Sequence, residues 1–305
     1  WDGNFWRQVD NTTRRGRGIT MGGQDGTKST QYFDIASKGN AENFGELHQG
    51  VSQNSCNGNH IRSLSNGATA SGSDAYDYIQ YVTIQSQGNS VDFGNLTVTV
   101  RMPASCGSST RGLTAGGVNP SASQNVINYV EFMTLGNALD FGDLTYARRY
   151  GSSFSSPTRG FFTAGSPSGR GIDVFTMSSK GNATDFGDVT AKTQQLGGFA
   201  NITRAIYGNN QSSLVRLEYI TMASEGNGTD FGSLGRETAA ELGNGCNHTR
   251  GVLAGGFNTP GTASVNNIDF ITIATTGDAQ YFGDLSQPTS LFKGCSDSHG
   301  GLGGF

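Results

Sequence analysis

Cysteine and histidine side chains are the groups in this chain best suited to bind a metal ion or carry redox chemistry. Thiolate and imidazole are ligands that transition metals favour, so several of them around one axis would form a metal or redox site. We favour a second interpretation, in which small or flat side chains fit a narrow space and hydrogen-bond locally. We therefore expect no bound cofactor. The residues concerned are Cys56 and His60, Cys246 and His248, and Cys295 and His299.

Signatures of other enzyme chemistry are absent from the sequence. There is no Gly-x-Ser-x-Gly nucleophile motif and no His-Glu-x-x-His zinc motif. An Asp-Phe-Gly string recurs along the chain in identical or near form, without the companion motifs that a kinase would carry. The sequence therefore predicts a protein that is not an enzyme and has no catalytic residue.

A long repeat organises the chain. Its marker is a Phe-Gly pair, and the intervals between successive pairs are 49, 48, 45, 45 and 51 residues. That period fits four short strands with their turns, which is the size of one β-propeller blade. We predict an all-β, six-bladed β-propeller with kelch-like four-stranded blades, or alternatively seven blades of which one is incomplete. The Phe-Gly pairs begin at Phe44, Phe93, Phe141, Phe186, Phe231 and Phe282.

Each unit has the same order of parts. An arginine opens a short apolar strand that ends in glycines, and a second strand leads to a turn such as Gly136-Asn137, where both residue types tolerate positive φ. The return strand carries the Phe-Gly pair. We expect its ring to wedge between adjacent blades, while the glycine lets the backbone bulge or approach closely.

The arginines that open the units have two possible roles. They could form a ring that binds an anion, or each could pair with an aspartate to tie blades together. We favour the ion pairs, because acidic residues recur almost as regularly, at Asp92, Asp140, Asp185 and Asp230. The arginines are Arg17, Arg62, Arg111, Arg159, Arg204 and Arg250.

The end of the chain restarts the pattern of a unit, with His299 in the place of the arginine. Propellers commonly close by completing one blade from both ends of the chain, so we expect residues 286–305 to lie against the first blade. The predicted organisation is an N-terminal segment at 1–14 and one propeller domain at 15–305. The blade cores are expected at about 17–47, 62–96, 111–144, 159–189, 204–234 and 250–285.

Composition limits the partners. The formal net charge is only -4, which does not suggest nucleic-acid binding, and no apolar run is long enough to predict membrane insertion. Three of the four cysteines occupy equivalent places in different units, which are too far apart to bridge. We expect free thiols.

The unit resembles a degenerate kelch-type blade with Phe in place of Trp. Strings such as Gly-Asn-Ala-Thr-Asp-Phe-Gly-Asp and Thr-Arg-Gly-Val-Leu-Ala-Gly-Gly are similar to repeat proteins encoded by marine bacteriophages, particularly cyanophages. The resemblance covers about residues 15–305. It implies a propeller on the virion or its tail fibres that faces the host surface, with other virion proteins as partners and a possible homo-oligomer on a fibre. It transfers no catalytic residue.

The variable loops after the glycine-rich strand ends are the predicted binding surface, because such loops gather on one face of a propeller. Tyr76 and Phe257 could stack on sugar rings, while Asp74, Asp77 and Asn258 could bind hydroxyl groups. The leading hypothesis is therefore a non-enzymatic structural or adhesion module of a virion that contacts a host-surface glycan or receptor. The alternatives are a secreted or cell-surface carbohydrate-binding propeller of cellular origin, and a metal-binding or redox enzyme that uses the Cys and His groups.

Overall fold

The computed structural model describes residues 16–70, 72–167, 169–190, 197–211, 214–234, 238–239, 242–258 and 263–303. The predicted N-terminal segment at 1–14 lies outside them. The described residues form six four-stranded antiparallel sheets arranged as the blades of a six-bladed β-propeller, so the predicted fold is confirmed. No helix among the described residues is long and apolar enough to cross a membrane.

Each blade has four strands that follow one another from the axis of the propeller outward. From the innermost strand to the outermost, blade 1 contains β26 (Lys293–Ser296), β1 (Arg17–Met21), β2 (Ser29–Asp34) and β3 (Glu42–Glu46). Blade 2 contains β4 (Ser55–Gly58), β5 (Arg62–Ala68), β6 (Tyr76–Thr83) and β7 (Val91–Val100). Blade 3 contains β8 (Ala104–Gly107), β9 (Arg111–Ala115), β10 (Val126–Glu131) and β11 (Leu139–Asp143).

The remaining blades follow the same order. Blade 4 contains β12 (Ser152–Ser155), β13 (Arg159–Thr163), β14 (Gly171–Thr176) and β15 (Thr184–Asp188). Blade 5 contains β16 (Gly198–Ala200), β17 (Arg204–Gln211), β18 (Leu214–Thr221) and β19 (Thr229–Ser233). Blade 6 contains β21 (Gly243–Cys246), β22 (Arg250–Ala254), β24 (Asn267–Thr272) and β25 (Gln280–Asp284), and β20 (Thr238–Ala239) pairs with β23 (Phe257–Asn258) beside it. Two short 3-10 turns lie at Gln24–Gly26 and Gly300–Leu302.

Antiparallel order gives the propeller two different faces. The turns that join first to second strands and third to fourth strands lie at one end, which we call the turn face. The links from second to third strands, and from each outermost strand to the next innermost strand, lie at the other end, which we call the loop face. The predicted gathering of the variable loops on one face follows from this topology.

The ring is closed by the C-terminal strand. Strand β26 pairs antiparallel with β1, with Cys295 opposite Ile19, and supplies the innermost strand of blade 1. Within the segment expected to close the ring, Lys293–Ser296 do lie against the first blade, whereas Gly300 and Gly301 contact blades 3 to 5. Pairing the two ends removes two sheet edges that would otherwise be exposed.

The Phe of every Phe-Gly pair lies in the apolar core between its own blade and the next. Phe141, for example, packs with Phe175 and Met177 of blade 4, and Phe282 of blade 6 packs with Phe33 and Ile35 of blade 1. All six rings are 2–3% exposed. Burial of each ring contributes about 2–3 kcal/mol, so these contacts hold the ring of blades together.

The Gly-Asn turns are also contacts between blades. In blade 4, the N–H of Gly181 donates to the carbonyl of Phe141 at 2.9 Å, and Asn182 Oδ1 accepts from the N–H of Asp143 at 3.0 Å. The second of these bonds has an equivalent at all six boundaries between blades. The turn of each blade therefore docks on the Phe-Gly segment of the blade before it.

The arginines bind main-chain carbonyls, and the prediction of Arg–Asp ion pairs was wrong. Asp92, Asp140, Asp185 and Asp230 are exposed on outermost strands. The carbonyls that follow each third strand point across the boundary between blades, and a planar guanidinium is well suited to cap them. In every blade the arginine Nη1 donates a hydrogen bond of 2.6–3.2 Å to one of these carbonyls. The pairs are Arg17 and Ile84, Arg62 and Phe132, Arg111 and Met177, Arg159 and Met222, Arg204 and Ile273, and Arg250 and Ile35.

A further contact between blades had no signal in the sequence. A buried polar residue of the third strand accepts a main-chain N–H from the preceding blade, as Asn128 does from Thr97 at 2.9 Å and Asp173 does from Thr145 at 2.8 Å. In blade 4, Asp173 also forms a buried ion pair with Arg148 at 2.6 Å. Gln31, Gln80 and Glu218 occupy the same place in their blades.

The docking of each Gly-Asn turn on a Phe-Gly segment can be tested with a matched pair of glycine substitutions. A Cβ on Gly187 would collide with the carbonyl oxygen of Gly226 in the next blade, and Gly187 also has φ of +151°. A Cβ on Gly226 would meet nothing within 4 Å. We expect Gly187→Ala to lower the free energy of unfolding by about 2–4 kcal/mol and Gly226→Ala to change it by about 0.5 kcal/mol or less, as measured by urea denaturation. Equal losses in the two variants would contradict this account of the interface.

Candidate functional site

The innermost strands surround a narrow axial channel. Thiols, hydroxyl groups and glycines line it, among them all four cysteines. Its volume is about 50 Å³, and one water needs about 10–15 Å³. The channel has room for a few water molecules and is too small for an organic substrate.

The cysteines in this channel are free and buried, which confirms the predicted thiol state. Burial raises the pKa of Cys106 and Cys295 to about 12 and that of Cys246 to about 11. Burial also raises the pKa of Cys56 well above its ordinary value. Cys246 Sγ donates to the carbonyl of Ala200 at 3.3 Å. Because the thiolate is the form that binds metals and attacks electrophiles, these protonated thiols act as small packing and hydrogen-bonding groups.

The three cysteine–histidine pairs do not meet at one point. Cys56, Cys246, Cys295 and His299 line the channel, whereas His248 is exposed on the turn face. His60 Nδ1 lies 3.1 Å from the carbonyl oxygen of Asp297. Within the described ranges, no group of three or more His, Cys, Asp or Glu side chains is placed to hold a metal ion.

Residues His299–Leu302, which we call the plug, cross the channel at the turn face. His299 Nε2 donates to the carbonyl of Gly58 at 2.8 Å, and its Nδ1 accepts from the N–H of Gly301 at 3.1 Å. Gly300 lies against blade 5 and Gly301 against blades 3 and 4, where a Cβ on either would strike main-chain carbonyls. His299 therefore does not open a seventh blade, although the sequence places it in the arginine position.

Asp297 fixes the strand that closes the ring. Its side chain is fully buried, and Oδ1 accepts from the N–H of Arg17 at 2.9 Å while Oδ2 accepts from Gln85 Nε2 at 3.1 Å. Burial raises its pKa to about 6. The carboxyl group thus joins the C-terminal strand to blades 1 and 2.

On the loop face, the predicted binding residues of blade 2 lie together. Asp74 is exposed, and Tyr76 and Asp77 are partly buried. Tyr76 packs on the core between blades 1 and 2 and stacks on Tyr78, with ring centroids 5.1 Å apart and an angle of 14° between the planes. Tyr78 is 36% exposed, so it presents more ring surface than the predicted Tyr76. Tyr78 lies one residue beyond the variable stretch that predicted Asp74, Tyr76 and Asp77, so it carried no signal of its own in the sequence.

The predicted residues of blade 6 have a structural task. Phe257 and Asn258 pair with Thr238–Ala239, and Asn258 Oδ1 accepts from the N–H of Ala263 at 3.0 Å. Blade 1 lies between this loop and the Tyr76 group. The two sets of predicted residues therefore belong to different parts of the loop face and do not form one site.

A row of strained residues borders the channel mouth on the loop face, at the entries to the innermost strands of blades 1 to 4. Gln53, Met102, Tyr150 and Leu291 each lie two residues before an innermost strand and have φ between 56° and 63°. The N–H of Gln53 donates to Leu291, that of Met102 to Gln53 and that of Tyr150 to Met102, at 2.7–3.1 Å. These four residues are called the left-handed ring. Nothing in their sequence marks them, since glycine and asparagine are the usual signals of positive φ.

The left-handed ring encloses a hollow that we call the vestibule. Asn54 and Lys293 line it together with the four ring residues, and its volume is about 20 Å³. A second hollow of about 20 Å³ adjoins it, because Lys293 lines both. The vestibule lies beside the channel mouth, where the chain enters the innermost strands of blades 1 to 4.

No protein-family model matches the chain, and no curated protein matches it. The candidate site is therefore characterised by its own geometry.

The opposite pKa shifts of Asp297 and His299 predict a pH dependence of stability. Burial lowers the pKa of His299 to about 4, so its contribution is present above its unfolded pKa near 6.5 and is lost as pH falls toward 4. Asp297 has the raised pKa of about 6, so its contribution is present below 3.8 and is lost as pH rises through 6. The two effects oppose each other between pH 4 and 6.

Single substitutions should separate these effects. In Asp297→Asn, the remaining His299 should make the free energy of unfolding rise by about 2–3 kcal/mol between about pH 4 and 6. In His299→Gln, the remaining Asp297 should make the free energy of unfolding fall by about 2–3 kcal/mol over the same range. Urea denaturation at several pH values measures both slopes. Slopes of the same sign in the two variants would show that these groups do not control the pH dependence.

Proposed function

We propose that this protein is a non-enzymatic adhesion propeller displayed on a virus particle, with the loop face as its binding surface. The difference between the two faces carries the proposal. On the turn face, every blade presents the same parts, and they are used to dock on the neighbouring blade. That face is committed to holding the ring together.

The loop face varies from blade to blade. The link between second and third strands covers residues 22–28 in blade 1, 116–125 in blade 3 and 255–266 in blade 6, whereas in blade 5 the two strands run on to Gln211 and Leu214. A rigid scaffold that carries different loops on one face is a common design for recognition. The loops can therefore differ without disturbing the contacts between blades.

The chemistry of the loop face favours a glycan as ligand. Tyr78 offers an exposed ring supported from behind by Tyr76, and a planar apolar surface with a polar edge suits a sugar ring. Asp74 and Asp77 lie on the same loop and can accept hydrogen bonds from hydroxyl groups. This patch supports carbohydrate recognition on a virion as well as on a secreted or cell-surface protein of cellular origin.

The virion assignment is supported by the resemblance of the repeats to those of marine phage proteins. A propeller of this kind would be carried on a tail or fibre, where it would contact other virion proteins and further copies of itself. Detection of peptides of this chain at fixed stoichiometry in purified virus particles would support the virion assignment. Detection only in secreted cellular material would instead support the carbohydrate-binding propeller of cellular origin.

The adhesion role predicts that binding depends on the loop face. We expect Tyr78→Ala to reduce binding of the labelled protein to host cells by about tenfold, because loss of one stacking ring removes roughly 1–2 kcal/mol. The matched control is Tyr281→Ala, which removes a tyrosine that is 54% exposed on the outermost strand of blade 6. Flow cytometry of cells incubated with each variant gives the comparison. Equal binding by wild type and Tyr78→Ala, with loss in Tyr281→Ala, would assign adhesion to another surface.

A further inference from the structure

We propose that the vestibule binds a carboxylate-bearing sugar residue, such as a hexuronate, beside the channel mouth on the loop face. The inference rests on the proposed function and specifies the ligand class and a second position for it. It is independent of the Tyr78 patch, which lies away from the axis. Four observations carry it: the left-handed ring, a buried acceptor without a partner, a positive charge and the size of the hollow.

The backbone of the left-handed ring is strained at the positions that shape the vestibule. Four of the six described non-glycine residues with positive φ belong to this ring. Elsewhere the chain uses glycine for this conformation, as at Gly116 and Gly255. Large side chains held in the left-handed region tend to mark functional positions. Gln53, Met102, Tyr150 and Leu291 therefore retain side chains where glycine would be less strained.

One of the residues that line the vestibule has a buried acceptor without a partner. Asn54 is 1% exposed, and its Nδ2 donates to the carbonyl of Met21 at 3.3 Å and to Ser65 Oγ at 2.8 Å. Asn54 Oδ1 is buried and has no hydrogen-bond partner among the described residues, while Asn54 lines the hollow. A buried acceptor requires a donor, and a hydroxyl group of a ligand can supply one.

The charge at the vestibule is positive. Lys293 lines both hollows, and Arg101 lies beside the left-handed ring, where its Nη1 donates to Gln53 Oε1 at 3.2 Å. Arg149 lies over the ring of Tyr150, at 5.8 Å from its centroid. No Asp or Glu among the described residues lines either hollow. A carboxylate is therefore the group that this environment favours.

The size of the vestibule selects the part of the ligand that enters. Two adjoining hollows of about 20 Å³ each hold about as much as a few waters, which suits a carboxylate and one hydroxyl group. The sugar ring would remain at the mouth, against the partly exposed Tyr150 and Leu291. An adjacent carboxylate and hydroxyl group on an apolar ring face is the chemistry of an acidic sugar.

The test is calorimetric titration of the purified chain with glucuronate, with glucose as the neutral match and acetate as the bare carboxylate. We expect glucuronate to bind at least about tenfold more tightly than either. Lys293→Met keeps the apolar stem and should weaken glucuronate binding about tenfold or more, whereas Lys28→Met, at an exposed lysine of the same face, should not.

Tyr150→Gly gives a readout that a purely structural role would not produce. It should weaken glucuronate binding and raise the midpoint of thermal unfolding, because glycine relieves the strain. Asp25→Gly, at another residue with positive φ, should raise the midpoint and leave binding unchanged. Acetate binding as tight as glucuronate, glucuronate no tighter than glucose, or titrations unaffected by Lys293→Met and Tyr150→Gly would overturn the proposal. If Lys293→Met lost glucuronate binding but adhered normally to cells, the role of the vestibule in adhesion would be overturned, while its binding of glucuronate would stand. The adhesion of Tyr78→Ala to cells tests the proposed function separately.

Discussion

The docking of each Gly-Asn turn on the Phe-Gly segment of the preceding blade is the contact on which the ring depends. A main-chain bond, such as Gly181 to Phe141, sets the distance between blades, and the asparagine side chain adds a second bond. The glycine of each Phe-Gly pair is needed because a Cβ there would strike the main chain of the facing turn, as at Gly142. With this spacing set, each Phe ring lies in an apolar core shared by two blades, so no blade is complete without its neighbours.

The same constraint explains the polar character of the axis. Six innermost strands meet in a space with room for little beyond glycine, serine and cysteine, and the polar side chains there bind carbonyls of neighbouring strands. Ser155 Oγ donates to Gly107 and Cys246 Sγ to Ala200. Burial raises the pKa of these thiols, so they stay protonated and act as packing groups. This accounts for free cysteines in three equivalent places.

The two faces of the propeller have separate tasks. The contacts that repeat at all six boundaries, those of the Gly-Asn turns and of the arginines, lie toward the turn face, whereas the links between second and third strands on the loop face vary in length and chemistry. Strain is concentrated on that face, in the left-handed ring, whose residues are linked by main-chain hydrogen bonds from blade to blade. A closed, rigid ring can hold such residues in place because the surrounding strands fix their backbone. This division of tasks is the physical basis of the proposed adhesion role.

The amino-acid sequence by itself determined the six blades, the four-strand unit, the place of the Phe rings and the closure by the C-terminal segment. These features were readable because each results from a repeated local pattern, and a period of 45–51 residues records the size of a blade. Only the tertiary structure decided that the arginines cap carbonyls, that His299 belongs to a plug, that Tyr78 is the exposed ring and that Asn54 lines a hollow beside the channel mouth. Those features depend on which atoms meet across blade boundaries and on backbone angles of ordinary residues, and neither leaves a regular mark in the order of residue types.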